Sequence, residues 1–150
     1  LYRSAESGRN YERVGKRLLT GTRYPLPPDA GGFAVPDREA CPDYNRWHYG
    51  LEDRNSYASE LTEDGIRNRL VRRDVVYMVG SADTGDAALD MSCGAMLQGR
   101  HRYARGLTLY QYMEAFYQEN DHELHVVDGV GHSSTGMYQS TVGRDVLFNW

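Results

Sequence analysis

Two short stretches hold residues with a chemistry of their own. Gly80-Ser81-Ala82-Asp83-Thr84 offers a carboxylate, Asp128-Gly129-Val130-Gly131-His132-Ser133 an imidazole, and each follows an apolar, β-prone run. A carboxylate beside an imidazole accepts the Nδ1 proton and fixes the ring's tautomer. It then stabilises the imidazolium formed when the ring takes a proton from a nucleophile. Asp83 and His132 are therefore the candidate catalytic residues. Asp83 alone would serve equally as a turn aspartate capping its own loop; the pairing with His132 singles it out. Asp86 and Asp90 lie farther past the strand end, and Asp128 rivals Asp83 only by its nearness to His132 in sequence.

Other constellations carry less. Asp121, His122 and His125 offer metal-ligating atoms, but histidines three apart in a strand point to opposite faces, so no metal site is expected. Cys41 and Cys93 cannot build a tetrahedral zinc site alone and lack Cys-x-x-Cys spacing. They either pair or stand as two separate buried thiols. A bridge across a separation of 52 residues would stabilise the fold by about 4 kcal/mol through the loop it closes in the unfolded chain.

These loops need elements to hold them. Val75 to Val79 ahead of Gly80 is a continuous apolar run, as expected of a core strand buried on both faces. Leu124 to Val127 reads as a second strand, with a tight loop to Gly131 and a closing helical segment after it. Between the strands, Tyr103 to Glu119 carries Leu109, Met113, Phe116 and Tyr117 at helical spacing, which predicts a crossover helix with that face in the core. Thr62 is a plausible N-cap for a short helix through Ile66 and Leu70, ending at Arg72 and Arg73. Strand, helical crossover, strand, helix is the grammar of an α/β layer fold, whose functional loops lie beyond the carboxyl ends of the strands. Two strands alone make a poor sheet, so the pattern calls for more strands from elsewhere.

Residues 1 to 42 are rich in Gly, Pro and Arg and read as a loop-like cap or linker. Tyr11 to Leu19 could hold a helical turn or two, with Val14 and Leu18 on one face. Residues 43 to 57 gather Tyr44, Trp47, Tyr49 and Tyr57 around Gly50. The 150 residues are enough for one domain, and 40% apolar content is ordinary for a globular chain. A formal charge of -4 from interspersed residues disfavours nucleic acid and anionic membrane as partners. No stretch is long and apolar enough for a membrane span, and no leader pattern opens the chain. Its first residue is Leu1, as in a processed product or a fragment. Sixteen of the 17 basic residues are arginines, scattered rather than clustered.

Val75 to Thr84 with its Gly-x-x-Asp, and Val126 to Tyr138 with Gly-Val-Gly-His and Met137, resemble the acid and histidine loops of α/β-hydrolases. The resemblance covers roughly residues 43 to 150. Asn45-x-Trp47-x-Tyr49-Gly50-Leu51, Arg73-Asp74-Val75, and Leu97-Gln98-Gly99 with Arg102 are similar to one branch of that superfamily. It implies the C-terminal part of a doubly wound, mostly parallel sheet with crossover helices. Asp83 would be the triad acid and His132 the general base, in the family order of nucleophile, acid, histidine. The Gly-x-Ser-x-Gly nucleophile elbow and the oxyanion-hole loop, which precede both, are absent from these residues.

Ser133 within Gly131-His132-Ser133-Ser134-Thr135-Gly136 imitates the elbow. Thr135, however, stands where a small residue is needed and no histidine follows it, so Ser133 and Ser134 read as helix-capping hydroxyls. Trp47, His48 and Tyr49 would line an acyl or aryl pocket or form a packing cluster. The implied activity is serine-type hydrolysis of a small-molecule ester or acyl substrate, with no cofactor. The nucleophile would come from the rest of the domain, in cis or on a second chain. The alternatives are a hydrolase-like binding or scaffold module and a subunit completed by another chain.

Overall fold

A computed structural model describes residues 2–4, 11–13, 36–117 and 119–148. The fold is α/β, built on a parallel pair of strands with helices between and after them.

Near the start of the chain, β1 (Tyr2–Ser4) and β2 (Tyr11–Arg13) pair antiparallel, Tyr2 opposite Arg13. The helical turn expected from Tyr11 onward is thus replaced at Tyr11–Arg13 by a strand, because main-chain pairing with residues 2–4 outweighs the weak Val14 and Leu18 pattern. Residues 14–19 lie outside the described set, as does most of the expected cap or linker.

Helix α1 (Glu63–Val71) begins as the sequence predicts. The Thr62 hydroxyl accepts from the Gly65 N–H at 3.1 Å, and Glu63 and Asp64 occupy the positive end of the helix. Strand β3 (Asp74–Gly80) runs beside β4 (Asp121–Val127), in parallel register from Asp74 opposite Asp121 to Gly80 opposite Val127. The link between them holds α2 (Cys93–Gln98) and α3 (Arg102–Phe116), and the chain closes through α4 (Ser134–Gln139) and α5 (Thr141–Phe148). No helix among the described residues is long and apolar enough to cross a membrane.

The crossover helix is present but turned from the expected face. Leu109 and Phe116 are exposed, at 46% and 57%, whereas Ala104, Leu107 and Met113 are buried. Only Met113 of the predicted face is core. Contact with the sheet runs through Gly106, where a Cβ would come within 2.3 Å of Val79 Cγ1, and through Tyr110, edge-on to Tyr77 with ring centres 6.2 Å apart. A missing side chain lets the helix axis approach the strand, so the smallest residues mark the contact.

Strand β3 is not buried on both faces as expected. Its residues from Val75 to Val79 are half-buried and only Gly80 is fully so, since the sheet has two strands among the described residues. On the face toward α3, His122 is buried and Nε2 lies 3.0 Å from the Leu70 carbonyl. A carbonyl only accepts, so Nε2 carries the proton and Nδ1 takes the Tyr77 hydroxyl at 2.8 Å. His122 thereby fastens α1 to the sheet. His125 lies on the opposite face with Glu123, 3.3 Å away. No group of metal-ligating side chains forms among the described residues.

Cys41 and Cys93 form a disulfide, their Cα atoms 5.7 Å apart. The alternative of two separate thiols is thereby settled. The bridge ties the segment before α1 to the first residue of α2.

Candidate active site

Both candidate residues sit just past the carboxyl ends of the parallel strands. Paired Gly80 and Val127 end the ladder at the same level, and hydrogen bonds continue the pairing into the loops: Ser81 N–H to Val127 O and Ala82 N–H to Val130 O, each at 3.0 Å. The Ser81 hydroxyl donates to Asp128 Oδ1 at 2.9 Å and accepts from the Gly129 N–H at 2.8 Å. This stitch occupies Asp128, so the rival acid faces Ser81. Gly129 has φ +69°, a left-handed turn that suits glycine. Gly131, directly before His132, has ordinary room for a side chain and no positive φ.

Asp83 and His132 come together. His132 Nδ1 lies 3.2 Å from Asp83 Oδ2, and the Asp83 side chain is only 14% exposed while that of His132 is 66% exposed. A carboxylate accepts and does not donate, so Nδ1 carries a proton, and in the neutral ring Nε2 then has the lone pair. That nitrogen is suited to take a proton from a nucleophile. Both residues line a cavity of about 350 Å³, with Met78 and Met137 as apolar wall and Arg102 and Tyr103 as further polar edge.

Ser133 is the N-cap of α4, its hydroxyl accepting from the Gly136 N–H at 3.0 Å. Trp47, His48 and Tyr49 do not line the cavity. Tyr49 packs instead, its ring 4.5 Å from that of His48 and covering Gly94, while Trp47 is exposed. The Tyr49 hydroxyl bonds to Asp90 and to Ser92 Oγ.

Arg102 is a site residue that periodicity did not reveal. Its Nη1 stands 3.6 Å from Asp83 Oδ1, and Nη2 donates to the carbonyls of Ala87 and Ala88 at 3.0 and 2.7 Å. A signal was present: Arg102 opens α3, at the positive end of the helix dipole, where a cation is disfavoured unless something else holds it.

No family model matches the sequence, and no curated protein matches it. Solved structures do. LpqC, a poly(3-hydroxybutyrate) depolymerase from Bordetella parapertussis, is 29% identical with a TM-score of 0.53, over 73% of this chain and 37% of that one. Poly(aspartic acid) hydrolase-1 from Sphingomonas sp. KT-1 is 28% identical with a TM-score of 0.53, over 73% of this chain and 39% of that one. Both are enzymes of the α/β-hydrolase fold. This chain shares the α/β-hydrolase fold with both. It spans less than two fifths of the length of either neighbour.

Proposed function

We propose that this chain is the C-terminal part of a serine-type hydrolase that cleaves an ester or related acyl bond. Asp83 orients His132, and His132 acts as general base toward a serine carried by the rest of the hydrolase domain. One observation carries the reading: an imidazole whose Nδ1 is engaged by a sheltered carboxylate, at the exits of two adjacent parallel strands and beside a cavity. That arrangement prepares Nε2 to accept a proton and to return it to the leaving group. The neighbours, one a depolymerase of poly(3-hydroxybutyrate) and the other a hydrolase of poly(aspartic acid), support acyl-bond cleavage as the reaction class.

The test uses a serine-directed phosphonate on the full-length protein that contains this chain. We expect covalent labelling that His132→Ala slows by about 10³-fold or more, because the base that activates the nucleophile is lost. Labelling at an unchanged rate in His132→Ala would sink the assignment. A folded full-length protein that never labels would favour a binding or scaffold role. The 150 residues alone are expected to give no acyl-enzyme burst with an activated ester, as they contain no nucleophile elbow.

A further inference from the structure

The two oxygens of the Asp83 carboxylate are engaged differently. Oδ2 meets His132 Nδ1 at 3.2 Å, and Oδ1 faces the guanidinium of Arg102 at 3.6 Å. A carboxylate left to itself turns about its last bond and presents either oxygen. Here a cation on one side distinguishes them. Arg102 is itself fixed, because its second nitrogen spans the carbonyls of Ala87 and Ala88. Ala88 has φ +52°, a left-handed conformation that a residue with a Cβ keeps only when its surroundings hold it there. Next along α3, the Tyr103 N–H donates to the Asp83 carbonyl at 3.1 Å. The first turn of α3 thus grips the acid loop by its backbone at Asp83, by its carbonyls at 87 and 88, and by the carboxylate itself.

We propose that Arg102 is a positioning residue of this hydrolase site. It holds Asp83 Oδ1 so that Oδ2 stays on His132 Nδ1, and it fixes the loop that would otherwise carry the carboxylate away. The planar fork of arginine suits this double task, since one nitrogen reaches the carboxylate while the other holds the loop carbonyls. The inference rests on the reading of Asp83 and His132 given above. A built-in comparison lies three residues on. Arg105 makes a similar grip, with Nε on Gly99 O at 2.8 Å and Nη2 on Asp90 O at 2.7 Å. Its bonds run to other parts of the same excursion and not to the Asp83 carboxylate.

The experiment reads the tautomer of His132 by nitrogen NMR in the full chain labelled at histidine. The unaltered chain should show His132 largely in the Nδ1–H form. Asp83→Ala should lose that preference, and Arg102→Gln should lose most of it. Arg102→Lys, which keeps the charge, should restore a good part, while Arg105→Gln should leave His132 unchanged. If Arg102→Gln matches the unaltered chain while Asp83→Ala does not, the role of Arg102 is overturned and the pairing of Asp83 with His132 stands. If Asp83→Ala has no effect, the pairing falls and Arg102 with it. An Arg105→Gln effect as large as that of Arg102→Gln, or loss of the β3 and β4 amide pattern in both Arg102 variants, would also overturn the proposal. Either result would make Arg102 a support of the fold at large.

Discussion

At Asp90 a tyrosine hydroxyl leads the hydrogen bonds that favour the ionised carboxylate. The bond from Tyr49 and the Ser92 backbone N–H hold this carboxyl near 2, below its usual 3.8. A folded value below the unfolded one stabilises the fold above the unfolded value, and that contribution fades as pH falls from 3.8 toward about 2. Tyr49→Phe should therefore return Asp90 toward its ordinary value in a carboxylate-detected NMR titration, and should remove part of the acid sensitivity in that window. An unshifted Asp90 would mean that Ser92 suffices. The pairing of Asp83 with His132 was legible in the residues because strand ends, not composition, pointed to them. Arg102 was harder to see: its partners are a carboxylate and two carbonyls 14 to 19 residues away, and no periodicity within α3 announces them.

Among the elements, α3 shows where pattern reading goes astray. Leu109, Met113, Phe116 and Tyr117 make the larger apolar stripe, yet the sheet is met through Gly106 and Tyr110. Apolar bulk marks what gains most from burial, whereas close approach to a strand is set by what a helix lacks. Strands and caps were more legible: β3 and the Thr62 cap fall where an apolar run and a hydroxyl placed them. The contrast has a measurable form. Met113→Ala should cost about 2 to 5 kcal/mol in urea denaturation, as truncation of a buried side chain leaves a cavity. Leu109→Ala, at an exposed position, should change stability by about 0.5 kcal/mol or less. Equal losses would restore the stripe as the buried face.

For the molecule as a whole, the chain spans less than two fifths of either neighbour, in keeping with the expectation, drawn from the two-strand pattern, of further strands from elsewhere. The disulfide was not decidable from spacing, because pairing depends on which loops meet in three dimensions. Replacing Cys41 and Cys93 by serine should lower stability by about 2 to 4 kcal/mol in denaturant titrations, since the unfolded chain regains the freedom of a long loop; no loss would mean that its compact denatured state already holds the two ends together. The bridge also divides the molecule topologically. Residues 41 to 93 form a covalent ring that contains β3 and Asp83, whereas His132 lies on the tail that leaves it. A single cut within that ring releases nothing until the bridge is reduced. A cut between α3 and β4 would leave the histidine loop held to the acid loop by noncovalent contacts only, among them the ladder, the Ser81 stitch and the Asp83 contact.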